Sequence, residues 1–448
     1  MVSITCIKGD KNTMSETENK TFNLDGNTKK YKLLTISDHP LSPSGVGTQT
    51  KYILEALLQT GKFEIISLGG AIKHQDYKPQ KTEEYGDDWR IYPVDNYGNQ
   101  DMVRSIVRQE KPDMLWFMTD PRFWGWLWEI EQELRPLMPM VYYHVWDNKP
   151  YPMYNKAYYE SNDVIATISK VTSDIVQTVA PDVEEVYLPH AVDSDTFKKA
   201  SPEDAHAFRT AFDDHHGTNG KVLFFWNNRN ARRKQTGSLV IWFKDFLDEV
   251  GHDKASLILH TDPRDQYGQD LHAIIHDFDL ADGQVLLSTD KIPPEKLALL
   301  YNIADCTINI SDAEGFGLAT LESLSCETPI IVNMTGGLQE QVTDGTNWFG
   351  VGIQPASKAI IGSQAVPYIY EDRVSREDFI NALKKIFYQA PEARQALGAA
   401  GRKHVMKNYN FDDFRTKWIN LITETCERHG SWDTRQQYKG YRFEEIAA

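Results

Sequence analysis

Short apolar runs separated by amphipathic stretches dominate the chain from Lys32 onwards. In the first half these runs lie at 32–36, 63–68, 113–118, 140–144 and 163–168, and segment 51–58 has helical spacing. Short continuous apolar strands that alternate with helices are typical of a parallel sheet covered on both faces. We therefore expect a doubly wound α/β domain in the first half.

The same alternation restarts after a polar stretch at 213–220, with strands predicted at 222–226, 256–260, 285–287, 306–310 and 329–332. Two sheets suit a chain of 448 residues better than one. We predict one domain at 30–205, a second at 217–410, a returning helix and tail at 411–448, and a disordered tail at 1–29. Ligands of such folds bind beyond the carboxyl ends of the strands, which predicts a crevice between the domains.

Charge and composition exclude several classes of protein. The chain has 48 Lys and Arg against 64 Asp and Glu, a net charge of −16, which argues against general affinity for nucleic acid or anionic membranes. No apolar run is long enough to span a bilayer, and the N-terminus lacks the order of a signal peptide. The four cysteines are unclustered and suggest neither zinc nor a disulfide framework. We expect a cytoplasmic protein.

The run from Glu314 to Glu322 carries the most chemical information. Gly315 and Gly317 allow a ligand close to the backbone, and the helix that follows points free N–H groups at an anion such as a diphosphate. Glu322, about one turn into that helix, could accept hydrogen bonds from ribose hydroxyls, and Glu314 from hydroxyls of a sugar. Taken alone, the two glutamates would equally suit a strand–helix joint with solvated side chains.

A basic loop follows the predicted strand at 222–226. It places four cations within six residues, at Arg229, Arg232, Arg233 and Lys234. A diphosphate leaving group needs cationic partners, and Arg229 could bind it bidentately while Lys234 acts as a point charge. Arg232 and Arg233 are the weaker candidates. Further on, Gly336 and Gly337 precede a helical stretch and suit a second close approach to the ligand.

The order of these motifs resembles retaining glycosyltransferases of family four, which have the GT-B fold. Segment 188–197 is similar to that family's Pro-Asn-Gly-Val-Asp-x-x-x-Phe element, with His190 and Ala191 in place of Asn and Gly. Segment 411–421 resembles its C-terminal aromatic helix. The resemblance implies two Rossmann-like doubly wound domains that face each other across a cleft, with the C-terminal helix crossing back to the first domain.

The resemblance also implies roles for individual residues. The predicted catalytic residues are His144, Arg229, Lys234 and Glu314; the predicted donor-binding residues are Gly45, Gly47, Phe316, Gly317, Leu318 and Glu322. His144 would hydrogen-bond the donor sugar from the first domain. Asp120, Arg122 and Asp147 are acceptor candidates because they follow strands of the first half. Asp120 and Arg122 lie in an aromatic stretch at 116–128 that either stacks on a ligand or fills the core.

The function that the resemblance implies is metal-independent, retaining transfer of a hexose-type sugar from a nucleotide diphosphate sugar to a hydroxyl of a glycan, lipid or small molecule. The leaving diphosphate would help to deprotonate that hydroxyl. No cofactor is expected, and no essential metal, since no Asp-x-Asp motif stands at a convincing strand end. The alternatives are transfer to a hydroxymethylated base in DNA, which the negative charge disfavours, a GT-B epimerase or phosphorylase, and a non-catalytic sugar-nucleotide-binding protein.

Overall fold

A computed structural model describes residues 30–438. The tail predicted at 1–29 lies outside the described residues, as do residues 439–448. Two sheets organise the described part of the chain, and each is parallel apart from one short edge strand of the first. The predicted pair of doubly wound α/β halves is therefore confirmed. Within residues 30–438, none of the helices combines the length and the apolar composition needed to cross a membrane.

The first sheet has eight strands in the order β3-β4-β2-β1-β5-β6-β7-β8. The strands are β1 Tyr31–Asp38, β2 Phe63–Gly70, β3 Gln80–Lys81, β4 Trp89–Pro93, β5 Met114–Thr119, β6 Met140–His144, β7 Val164–Thr167 and β8 Glu184–Tyr187. Its helices are α1 Gly45–Leu58, α2 Gln100–Glu110, α3 Gly125–Trp128, α4 Glu131–Leu134, α5 Lys156–Glu160 and α6 Lys170–Val179. Ser44 caps α1 by accepting the Gly47 N–H at 2.9 Å.

The second sheet has six parallel strands in the order β11-β10-β9-β12-β13-β14. These are β9 Val222–Asn227, β10 Ala255–His260, β11 Val285–Ser288, β12 Cys306–Asn309, β13 Ile330–Asn333 and β14 Gly350–Ile353. The helices around it are α7 Pro202–His216, α8 Thr236–Val250, α9 Leu271–Asp277, α10 Pro294–Ile303, α11 Leu318–Ser325, α12 Leu338–Val342, α13 Arg376–Phe387 and α14 Pro391–Asn408. Helix α7, which precedes the predicted start of the second domain at 217, packs on α10.

Four strands of the two parallel sheets were not predicted from apolar runs. β3 has only two residues, β8 is a half-buried edge strand with two glutamates, and every second residue of β14 from Gly350 to Gly352 is a glycine. β4 alternates buried and half-buried residues and ends in Pro93. β3, β8 and β14 lie at sheet edges, where a strand has one neighbour and does not need the continuous apolar sequence that marks a central strand, whereas β4 lies next to the edge strand β3.

A hairpin of the second domain reaches across to the first. Strands β15 Ser357–Ile361 and β16 Ile369–Arg373 pair in antiparallel fashion. The Tyr370 N–H donates to the Lys149 carbonyl at 2.6 Å, and the Asn148 amide donates to the Tyr370 carbonyl at 2.9 Å. At the other end of β16, the Asp372 N–H donates to the Asp312 carbonyl at 2.9 Å. The hairpin is thus bonded to both sides of the cleft.

The last helix, α15 Phe411–His429, returns to the first domain and packs on α1. Its Trp418 is fully buried, with ring centroids 4.7 Å from Tyr143 and 6.0 Å from Trp116 in edge-on arrangements. The chain continues along the first domain, where the Trp432 indole donates to the Pro112 carbonyl at 3.0 Å. The predicted return of the C-terminal helix is confirmed.

Candidate active site

The glycine loops of the two domains face each other across the cleft. A methyl group added at Gly45, the first residue of α1, would lie 3.2 Å from Leu318 Cδ1 at the start of α11. One added at Gly315 would lie 3.0 Å from the Val145 carbonyl, just beyond β6. The absence of side chains at these positions lets the two loops approach closely. Residues predicted from separate halves of the sequence are therefore brought together.

The Gly315–Gly317 loop turns its carbonyl groups into the second domain. The Gln341 amide donates to the Phe316 carbonyl at 2.7 Å, and the Thr320 hydroxyl donates to the Gly317 carbonyl at 2.8 Å. Gly317 precedes α11 with φ of +92°, and no side chain caps this helix. The N–H groups of its first turn have no acceptor within the helix, so they are available to an anion.

Glu314 forms a buried ion pair with Lys234. Its Oε2 accepts a hydrogen bond from Lys234 Nζ and another from the Asn309 amide at 3.3 Å, while only 8% of Glu314 is exposed. Burial opposes the charge of this carboxylate, but Lys234 and Arg233 outweigh it and hold the Glu314 pKa at about 2. Burial lowers the pKa of Lys234 to about 8, so both partners are charged at neutral pH.

Glu322 is held in a different way. The hydroxyl of Tyr301, on α10, donates to Glu322 Oε2 at 2.7 Å and accepts a hydrogen bond from the Asn227 amide at 2.9 Å. Because the amide nitrogen can only donate, the Tyr301 proton is directed at the carboxylate. Burial raises the pKa of Glu322 to about 7, and the bond from Tyr301 counters part of that rise. Sequence alone gave no sign of Tyr301 beyond its place in an apolar helix.

Asp147 lies where the two domains come closest. A methyl group added at Gly336 would be 3.3 Å from Asp147 Cβ. Burial raises the pKa of Asp147 to about 7; Glu314 and Asp120 raise it as well, whereas Arg233 acts in the opposite direction. The structure therefore places this predicted acceptor residue between the Glu314 loop and the end of β5. A carboxylate in that position can accept hydrogen bonds from a hydroxyl group near neutral pH.

The structure contradicts the predicted contact between His144 and a donor sugar. His144 is fully buried, and its two ring nitrogens lie 2.9 Å and 2.8 Å from the hydroxyls of Tyr142 and Tyr159. Burial lowers its pKa to about 3, so the ring is neutral. The tyrosines satisfy both nitrogens inside the first domain, and the imidazole has no hydrogen-bonding capacity left for a ligand in the cleft.

The basic loop is arranged differently from the prediction. Arg229 forms a bidentate pair with Asp265, at 2.6 and 3.2 Å. Arg233 instead approaches the site, with Nη1 at 2.5 Å from the Ala313 carbonyl and 3.9 Å from Glu314 Oε2. Arg232 is bound to Glu371 of the hairpin. The sequence does not show which of these arginines approaches the site, because that depends on the local backbone conformation of the loop.

The remaining predicted residues have local partners. The Arg122 guanidinium binds Asp120 at 2.9 and 3.1 Å, directly after β5. The Phe316 ring lies edge-on between His190 and Tyr409, so its side chain anchors the loop and only its backbone faces the ligand position. Most indoles of the 116–128 stretch, those of Trp116, Trp124 and Trp128, fill the core of the first domain. That alternative, rather than a stacking platform, is the one the structure supports.

Comparison with known proteins points to one family. The model of the family described as glycosyl transferases group 1 matches residues 266–404, which contain Glu314, Glu322, Gly336 and Gly337. This segment of the chain is therefore similar to the group 1 glycosyl transferases. A related protein of this kind, the D-inositol 3-phosphate glycosyltransferase of Xylanimonas cellulosilytica, is 24% identical over 270 residues. That match covers 60% of this chain and 58% of the relative's own length.

Solved structures are similar to this chain in fold. The sucrose-phosphate synthase of Thermosynechococcus elongatus superposes with a TM-score of 0.70 at 17% identity, covering 89% of this chain and all of that one. The Anabaena protein HepE, solved with UDP and glucose, gives 0.64 at 14% identity, with 88% and 100% coverage. At such identities the likeness shows the fold alone, and it confirms the predicted GT-B class.

No cluster of three or more His, Cys, Asp or Glu side chains that could hold a metal ion occurs within residues 30–438. Glu314 is instead paired with Lys234, Asp120 with Arg122, and Glu322 accepts a hydrogen bond from the Tyr301 hydroxyl. Metal independence itself stays a prediction.

Proposed function

We propose that this chain transfers a sugar from a nucleotide diphosphate sugar to an acceptor hydroxyl, with retention of configuration at the anomeric carbon. The observation that carries the proposal is the approach of the two domains beside the open N-terminus of α11, where Gly45 meets Leu318 and Gly315 meets the Val145 carbonyl. Two glycine loops and uncapped N–H groups form a suitable setting for a diphosphate. The match of residues 266–404 to the glycosyl transferases group 1 model and the GT-B fold support the same assignment.

The residues then take distinct roles. The diphosphate would lie at the start of α11, and the ribose hydroxyls would donate to Glu322, whose carboxylate Tyr301 holds in place. Glu314, fixed by Lys234, would accept hydrogen bonds from the sugar being transferred. Arg229 remains a predicted phosphate ligand, and it would have to leave Asp265 in order to reach the donor.

In this reaction the acceptor oxygen forms a bond to the anomeric carbon as the bond from that carbon to the diphosphate oxygen breaks. The acceptor proton passes to the leaving diphosphate, which needs no additional base. Lys234 and the N–H groups of α11 would stabilise the negative charge that develops on the leaving group. We propose that the reaction needs neither a cofactor nor an essential metal, and that it takes place in the cytoplasm.

Calorimetric titration with UDP, GDP and ADP, in the presence of a metal chelator, tests the donor site. We expect one of the three to bind, and its diphosphate sugars to be hydrolysed slowly or transferred. Glu322→Gln should weaken that binding, whereas the control Glu377→Gln, which removes an exposed carboxylate from the same domain, should leave it unchanged. The proposal fails if the folded wild-type protein binds no nucleotide diphosphate.

A further inference from the structure

The first-domain side of the cleft carries a carboxylate at the end of each of three adjacent strands. Asp38 ends β1, Asp120 follows β5 and Asp147 lies just beyond β6. β1, β5 and β6 are neighbours in the sheet and run parallel, so these carboxylates lie along one edge of it. This edge faces the Glu314 loop, because Gly336 and Gly315 of the second domain touch the segment that follows β6.

The arginines near this edge of the sheet already have hydrogen-bonding partners within the protein. Arg122 is bound through two hydrogen bonds to Asp120. Asp38 is held by hydroxyl groups, from Ser44 at 2.7 Å and Tyr97 at 2.9 Å. Asp147 has Arg233 nearby, but that guanidinium is shared with Glu314 and the Ala313 carbonyl. A second anion on the acceptor would therefore meet carboxylates and no uncommitted partner among these groups.

The donor makes the imbalance larger. The diphosphate would draw on the N–H groups of α11 and on Lys234, whose charge Glu314 already balances in part, so little positive charge is left for a second anion. Like charges held close together in a poorly solvated site repel strongly. Carboxylates are, however, good acceptors for sugar hydroxyls, since each ionised oxygen can receive more than one hydrogen bond.

We propose that the acceptor is an uncharged polyol, such as a sugar without phosphate, whose hydroxyls donate to Asp120 and Asp147. This inference rests on the proposed function and narrows it. An uncharged acceptor would distinguish this chain from two proteins to which it is similar, since the inositol and sucrose enzymes named above are both named for phosphorylated compounds. It also disfavours DNA, whose backbone is a polyanion.

Matched acceptor pairs test the proposal, with the donor chosen by the nucleotide titration. Glucose and glucose 6-phosphate, fructose and fructose 6-phosphate, and inositol and inositol 1-phosphate are compared by kcat/KM, together with an oligonucleotide that carries 5-hydroxymethylcytosine. We expect the uncharged member of at least one pair to be better by about tenfold or more. Preference for a phosphorylated member, transfer to the oligonucleotide, or failure of every uncharged polyol overturns the inference.

Variants locate the cause of the preference. Asp120→Asn and Asp147→Asn should each narrow the ratio between uncharged and phosphorylated acceptors by about threefold or more. Asp120→Asn frees the Arg122 guanidinium to bind an anion, and Asp147→Asn removes a carboxylate that is partly ionised at neutral pH. Asp95→Asn, at an exposed position after β4, should leave the ratio unchanged. Nucleotide binding measured on the same variants distinguishes a failure of the acceptor proposal from a failure of the proposed function. Loss of the preference with binding intact overturns only the acceptor class, whereas a wild-type protein that binds no nucleotide fails at the level of the proposed function.

Discussion

Glu314, in a loop, and Glu322, in the helix that follows it, are only eight residues apart, yet their carboxylates are held by different partners. Glu314 forms an ion pair with Lys234, and its pKa of about 2 keeps it ionised at every physiological pH. Glu322 is held by the hydroxyl of a buried tyrosine, and its pKa of about 7 lets it change charge near neutrality. The charge of Glu314 is therefore constant near neutral pH and that of Glu322 depends on pH, a difference that the spacing of the two glutamates in the sequence does not reveal.

Removal of Lys234 should have the largest effect. Lys234→Ala takes away a charge at the leaving group, and we expect kcat to fall by about 10²–10³-fold. The same change leaves Glu314 buried without its main partner, which should cost about 3–5 kcal/mol in the free energy of unfolding. Steady-state kinetics and thermal unfolding measure the two effects.

The double variant Lys234→Ala, Glu314→Gln is the control for this first prediction. It should recover much of the stability without recovering turnover, because the buried charge is gone but the site is still incomplete. A single variant with wild-type kcat would remove Lys234 from the site.

Glu322→Gln should act mainly on donor binding. Hydrogen bonds to a charged group contribute about 1.5–3 kcal/mol, so KM for the nucleotide sugar should rise by about 10–100-fold. The effect on kcat should be smaller, since the ribose lies far from the bond that breaks. If kcat fell and KM stayed constant, Glu322 would be acting on the reaction and not on the ribose.

The pH dependence of donor binding separates the two glutamates. With a pKa near 7, Glu322 is mostly protonated at pH 6 and mostly ionised at pH 8, so KM for the donor should fall by about tenfold over that interval. Glu314 stays ionised throughout and contributes nothing to this change. Glu322→Gln should flatten the profile, and a flat profile in the wild-type protein would contradict the assignment.

Tyr301→Phe should have the smallest effect of the four. Loss of one hydrogen bond, contributing about 0.5–1.5 kcal/mol, should raise donor KM by about 2–10-fold with little change in kcat. Without that bond the carboxylate of Glu322 is protonated more readily, so the pH profile of KM should move to higher pH. The groups that face Glu322 are Tyr301, Tyr52 and Cys326, and of these Tyr301 donates the hydrogen bond. An unchanged profile would make Tyr301 a packing residue only.

The sequence predicted the central strands and the meeting of Lys234 with Glu314, because the loops after neighbouring parallel strands lie at one edge of a sheet. It placed His144 correctly at the end of a strand but did not predict the environment of its ring. Tyr142 and Tyr159 enclose that imidazole, and no spacing rule reports which ring nitrogens are already bonded. Tyr301 was missed for a related reason, since its hydroxyl meets Glu322 only after α10 has packed beside α11.

The β15–β16 hairpin shows a further limit of prediction from pattern. Its strands are exposed or half-buried, and the apolar Val366 and Ile369 near the turn pack against the core of the first domain. The partner surface is remote in sequence, so the pattern alone gave no reason to expect it.

Trp418 has a consequence for biosynthesis. The first domain is synthesised before the second, but Trp116 and Tyr143 in its core are covered by an indole that follows β8 by about 230 residues. The nascent first domain therefore exposes Trp116 and the Tyr143 side of its core until α15 has been synthesised. The first domain is completed only after the second has emerged.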